Sequence, residues 1–344
     1  MTGTTFDKST INTTDTDVAL SSFMAAIAAS AILGYSTLAV ADAPERPSTI
    51  TFAADQLYPE TASWSEKEKV FFVSSIRHGT VGKVAVDGQY TPFISDNRLV
   101  STVGLLADDA HNTLWVINAD PGLGVRSSAT TQGKLAGVAA YDESTGALRA
   151  YYDLTSLSQG AHFANDLSVD DAGNAYVSDS FAPMIFRIGT DGKASILVRN
   201  ETFGTGENFN LNGIAWAKDG FLIVGNTTTG ELFRVSTADP VQVDKIKLSE
   251  PLIGVDGFHL MDRRHLVIVQ QRIAAGGGGD EWIKELVSTD GWKTARVVRR
   301  AKSVASAPTS VTQVGNTIYA LASRIDTLAN PKALKVSDYV LQKF

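Results

Sequence analysis

Three stretches of the chain repeat one arrangement in altered form: Phe163-Ala164-Asn165-Asp166-Leu167, Leu211-Asn212-Gly213-Ile214 and Gly254-Val255-Asp256-Gly257-Phe258. In each, a polar side chain precedes Asp or Gly, and an apolar residue opens the run that follows. A turn signal and a second apolar run come next, at residues 174–178, 221–225 and 265–269. Recurrence at a spacing of this size marks a repeat architecture and restricts the fold more than composition does. Between the repeats the chain is rich in Val, Ile, Phe, Tyr and Thr, broken by Asp-Gly, Gly and Asn turns. Helical periodicity is nearly absent there.

With this motif as a ruler, six units follow one another. They start at Glu60, near Thr102, and at Asn165, Asn212, Asp256 and Thr309. Each holds about four strands over roughly 45–60 residues, the make-up of a propeller blade. The last unit shows strands at 309–311, 317–321 and 333–336, after which only 339–341 remain. An unassigned strand at about 48–54 precedes the first unit. Pairing it into the last unit closes the ring and removes an exposed sheet edge. The expected fold is all-β: a six-bladed β-propeller of four-stranded blades, closed by that N-terminal strand. A β-sandwich or two smaller β domains gives no reason for a polar residue at the head of successive units.

The chain has 344 residues, 44% hydrophobic and 19% charged, enough for a large core. A net charge of −7 without a basic block argues against nucleic-acid binding; Arg299, Arg300 and Lys302 read as a solvated strand edge. With no cysteine, disulfides, thiol catalysis and thiolate metal sites are excluded. Residues 18–41 carry no charge, with an apolar core at 23–33 and small-residue cleavage patterns at 39–43. This predicts a signal peptide and export, although the run is also long enough for an uncleaved membrane anchor. Residues 1–45 are therefore read as leader and 46–344 as one propeller domain.

In a propeller the first strand of each blade lines the central channel, so the residues heading those strands gather about the axis. Here they are Glu60, Val103, Asn165, Asn212, Asp256 and Thr309. Two carboxylates and two amides without Lys or Arg are costly to bury uncompensated, and a hard divalent cation accounts for them. Calcium is the first expectation, with magnesium, manganese and zinc as alternatives. Singly, Asn-Gly and Asp-Gly are ordinary turn signals; four polar residues in one register point to the metal. The loops after the second strands predict substrate contacts at Arg77, His78, Asn118, Asp120, Asp179, Phe181 and Gln271, with Phe163 beside the metal. His162 reads equally as a proton shuttle beside the metal or as a loop hydrogen bond. The loops 121–136 and 276–279 are long enough to act as lids. No Gly-x-Ser-x-Gly, His-Glu-x-x-His or phosphate-binding loop is present.

The head motifs, with Tyr58-Pro59-Glu60 before the first unit, resemble the senescence marker protein/gluconolactonase/luciferin-regenerating-enzyme-like family of six-bladed propellers. The resemblance implies a catalytic divalent metal on Glu60, Asn165, Asn212 and Asp256, with Asp256 as general base. Sugar-lactone members carry an Arg where this chain has Phe163. Relatives with a second calcium carry a carboxylate where it has His259. Neither a gluconolactone-type substrate nor a second calcium is therefore expected. The function expected is metal-dependent hydrolysis of a small lactone or ester, the cation polarising the carbonyl while Asp256 assists water. A propeller-templated cyclase or isomerase of a hydrophobic metabolite and a secreted binding propeller are the alternatives.

Overall fold

The computed structural model describes residues 46–204, 209–271 and 281–344, which belong to one compact unit. The leader and the 276–279 loop lie outside the described residues. The unit is all-β. Among the described residues its helical content is two three-residue 3-10 turns and the short helix Ile325–Ala329.

Strands pair with their sequence neighbours in antiparallel meanders. Ala62–Ser65, Val70–Val73, Thr80–Val84 and Tyr90–Ser95 make one four-stranded sheet. Two eight-stranded sheets follow. Each comprises two four-stranded antiparallel meanders joined by a parallel contact only two residues long, His162 and Phe163 beside Lys134 and Leu135 in one, Lys247 and Leu248 beside Thr294 and Ala295 in the other. A second four-stranded sheet takes Pro308–Val314, Thr317–Ala322 and Asp338–Lys343 from the end of the chain and Thr49–Ala53 from its start.

That last pairing runs from Thr49 opposite Gln342 to Ala53 opposite Asp338, so the described chain closes on itself. One expectation changes. Residues 333–336 form no strand, and Asp338–Lys343 is the third strand of this sheet. The reason lies in burial: Tyr339 and Leu341 alternate inward along Asp338–Lys343, whereas Leu334 is 89% exposed.

The strands that open the meanders (Ala62–Ser65, Ser101–Asp108, His162–Val169, Leu211–Ala217, Val255–Leu260 and Pro308–Val314) touch one another in sequence, and the last touches the first. They surround an axis. Five of the six share a defect in their ladder: register shifts between Thr102 and Leu105, Ala164 and Leu167, Leu211 and Ile214, Val255 and Phe258, and Pro308 and Ser310. A β-bulge re-aims side chains. Here the shifts bracket Val103, Asn165, Asn212, Asp256 and Thr309, the residues that the repeat places at the heads.

The glycines beside them are not turn residues. A Cβ on Gly104 would strike the Asn165 carbonyl, one on Gly213 the Asp256 carbonyl, and one on Gly257 the Thr309 carbonyl. The absence of a side chain lets neighbouring heads approach until their backbones touch, which draws the polar residues together.

Candidate metal and substrate site

Glu60, Asn165, Asn212 and Asp256 line one cavity of about 690 Å³, and each is less than a tenth exposed. Glu60, Asn212 and Asp256, with Thr309, also line a smaller cavity of about 180 Å³.

Glu60, Asn165 and Asp256 are each fixed from behind. The Glu60 and Thr61 amides both donate to Ser74 Oγ, at 3.0 and 2.9 Å. Glu60 Oε2 accepts from Thr61 Oγ1 at 2.6 Å. Tyr58 anchors this loop to the closing sheet, its amide donating to the Tyr339 hydroxyl at 2.9 Å. Asn165 Nδ2 donates to Ser180 Oγ at 2.8 Å, and that hydroxyl donates onward to the Leu211 carbonyl at 2.5 Å. Ser180 must therefore accept from the amide nitrogen, which turns Asn165 Oδ1 the other way. Gln271 Nε2 donates to Asp256 Oδ2.

What remains unsatisfied is specific. On this cavity Asn165 Oδ1, Asn212 Oδ1, Asp256 Oδ1 and Gln271 Oε1 are buried without a hydrogen-bond partner. Native interiors rarely leave such atoms unpaired, because each costs about 1–3 kcal/mol. The carboxyls respond as buried like charges must. Burial, then the neighbouring Asp256, pushes Glu60 well above the usual carboxylate range. Burial also pushes Asp256 up to about 8, with the charge of Asp166 adding to it and the Gln271 hydrogen bond opposing it.

This is an acceptor-only oxygen set with two potential negative charges, which fits a hard divalent cation. Among the described residues no three His, Asp or Glu side chains gather as metal ligands. The fit therefore depends on the two amide oxygens completing the pair of carboxylates.

Of the expected substrate contacts, Phe163 and Gln271 line the larger cavity, and Phe181 packs behind Phe163 with ring centroids 5.4 Å apart. Arg77, His78, Asn118, Asp120 and Asp179 are not among its lining residues. Most polar groups in these loops are spent on their own backbone. Asn118 Oδ1 accepts from the Val100 amide at 2.7 Å, and its Nδ2 donates to the Arg98 carbonyl at 3.0 Å. Asp120 accepts from the Gly122 amide and from the Ser127 and Thr131 hydroxyls at 2.6–2.7 Å. Asp179 Oδ1 accepts from the amides of Phe163, Phe181 and Ala182 at 2.9–3.0 Å. His78 Nε2 sits 3.0 Å from the Asp55 carbonyl.

His162 likewise lies outside the cavity lining. Its Nδ1 is 2.7 Å from Asp179 Oδ2, and its Nε2 is 3.2 Å from the Ser158 carbonyl. Burial opposes its charge, but the hydrogen bond and charge of Asp179 outweigh it and raise its pKa above the ordinary value. With both nitrogens engaged, it braces a loop and has no free position for proton transfer in the cavity.

Three features escaped the sequence reading. Asp166 is a third acidic side chain on the smaller cavity, pushed by burial up to about 7; its signal was an Asp in the register held by Gly213 and Gly257. Phe209 and Ile253 line the larger cavity, each three residues before its polar head, as His162 stands to Asn165. The helix Ile325–Ala329 supplies Ile325, Asp326 and Ala329 to the same wall.

No family model matches the chain, and no curated protein matches it. Solved structures do. The major allergen Mala s 1 of Malassezia sympodialis aligns at TM-score 0.67 and 18% identity, covering 86% of this chain and 96% of the allergen. Regucalcin from Agrobacterium tumefaciens, described as a calcium-binding protein, aligns at TM-score 0.57 and 15% identity over 84% and 92% of the two chains. A gluconolactonase from Xanthomonas campestris aligns at TM-score 0.56 and 13% identity over 86% and 89%. At these identities the likeness shows the fold: this is a β-propeller protein. Its structural neighbours include proteins of the gluconolactonase and regucalcin kind, which the head motifs resemble.

Proposed function

We propose that this chain is a divalent-metal-dependent hydrolase of a lactone or related ester, built as six four-stranded blades with Thr49–Ala53 as the outer strand of the last. One observation carries the reading: four residues lining one cavity, Asn165, Asn212, Asp256 and Gln271, each hold a buried oxygen without a partner, beside a second buried carboxylate, Glu60. The names of two structural neighbours, a gluconolactonase and a calcium-binding protein, support lactone chemistry and calcium respectively.

Glu60, Asn165, Asn212 and Asp256 would hold the ion. When bound, the cation supplies the positive charge that polarises a carbonyl and stabilises an oxyanion. Gln271 holds Asp256 through Oδ2 and leaves Oδ1 free. With Oδ1 on the ion, Oδ2 would be the Asp256 oxygen that takes the proton of an attacking water. The Phe163 wall positions the non-reacting part of the substrate and excludes bulk water.

The test is a panel of lactones and esters assayed with and without chelator. Hydrolysis that chelator abolishes, restored by calcium or another divalent ion, is the expected result. Asp256→Asn and Glu60→Gln should each lower kcat by orders of magnitude. Turnover that survives complete metal removal would sink this mechanism and favour a templated cyclase or isomerase, a reading the aromatic wall also suits.

A further inference from the structure

The cavity wall narrows the substrate class. Two phenylalanines, Phe163 and Phe209, line it, with Phe181 packed behind them. Phe209 lies edge-on to both Phe163 and Phe181, at centroid distances of 5.5 and 4.9 Å. Phe209 retains 42% exposure, and Ile253, lining the same cavity, 57%. A single exposed apolar side chain on a soluble domain needs no explanation. Two of them on one cavity, continuous with buried Phe163 and Ile76, form an apolar surface that a ligand would cover. Leu123 and Ile325 extend it.

The polar part of the lining has its own bias. Its charged members among the described residues are Glu60, Asp256 and Asp326, all acidic. An anionic substrate meets no opposite charge among the described lining side chains. Beyond the four heads, a polyhydroxylated ring would find Thr227, Thr228, Gln271, Thr309 and Asp326 as partners, all on a lining that also carries Ile76, Leu123, Phe163, Phe209, Ile253 and Ile325. The volume of about 690 Å³ is within the range that encloses a drug-sized molecule, more than a bare five-membered lactone fills.

We propose that the site takes an uncharged, apolar lactone or ester, whose alkyl or aryl substituent lies on the Phe163–Phe181–Phe209 wall while its carbonyl reaches the four polar heads. The proposal rests on the hydrolase reading above and adds the chemistry that selects the substrate. Burying one methylene raises binding about three- to fourfold, and the gain appears in kcat/KM when the substituent stays bound in the transition state.

The experiment compares γ-butyrolactone, γ-hexalactone, γ-decalactone and glucono-δ-lactone on the metal-loaded full chain. Alkyl cyclopentanones of matching chain length, which cannot be hydrolysed, are titrated in parallel by calorimetry. The expected result is a kcat/KM that rises about threefold or more per buried methylene until the wall is filled, with the sugar lactone poorest. Phe209→Ala should flatten the series, whereas Leu334→Ala, an exposed apolar residue outside the cavity lining, should leave it steep. Efficient hydrolysis of glucono-δ-lactone with a flat alkyl series would overturn the substrate class and uphold the hydrolase. With no hydrolysis at all, the hydrolase reading falls. Ketone affinity would then decide the wall separately: a rise with chain length supports an apolar ligand, and its absence overturns one.

Discussion

Replacing Asp256 by Asn should make the metal-free protein more stable while removing the hydrolysis proposed above. In the folded chain burial and neighbouring negative charge push this carboxyl up to about 8, against 3.8 for the unperturbed group. A carboxyl raised on folding carries no penalty below its unfolded pKa. The penalty grows as pH rises through 3.8 and levels off above the folded value. At pH 7 the difference spans about three units, or about 4 kcal/mol at 1.36 kcal/mol per unit. Glu60 titrates against the same field, so the share relieved at Asp256 alone is about 2–4 kcal/mol. For a domain of this size that corresponds to a rise of roughly 3–6 °C in Tm. The assay is calorimetric unfolding in chelator from pH 4 to 9. Wild type should lose stability across that range as pH rises, and Asp256→Asn should lose less of it. A variant less stable than wild type at pH 7, with the same pH slope, would refute the account of the buried carboxylates.

Two further outcomes follow from particular contacts. Gly213→Ala places a methyl against the Asp256 carbonyl, so the strand heads must part; metal affinity should fall at least tenfold in calorimetric titration while the circular dichroism spectrum stays that of the wild type. Glu143 is fully buried, its two carboxylate oxygens have no partner, and its carboxyl is pushed up to about 7, chiefly by burial. Because the raised value penalises the ionised form, Glu143→Gln should stabilise the protein by about 1–3 kcal/mol above pH 8 and by little at pH 4, read as the difference in Tm.

The heads of the units were legible in the sequence because a polar residue followed by Asp or Gly recurs at a constant offset from an apolar run. The structure adds the reason for the glycine, a backbone-to-backbone approach that a turn signal does not reveal. The rim was less legible. A polar residue near the end of a second strand reads the same whether it faces a ligand or folds back on its own loop. Asp120, Asp179 and Asn226 all accept from amides a few residues further on. His162 was misleading for a related reason: its partner Asp179 is seventeen positions away and nothing in the local sequence announces the pair. The helix Ile325–Ala329 spans five residues, has no side-chain cap and starts from Arg324 in a left-handed conformation, so no helix signal precedes it. Residues 333–336 and 338–343 both alternate, and only contact with Thr49–Ala53 and Thr317–Ala322 selects the second as a strand.

The most direct test of the central claim is calcium titration of chelator-treated protein by calorimetry, repeated on the double variant Glu60→Gln, Asp256→Asn. The account predicts one ion bound per chain in the wild type, affinity that rises with pH as the two carboxyls lose their protons, and no detectable binding in the double variant. Undiminished binding in the double variant, or no divalent ion bound by the wild type at any pH, would contradict it.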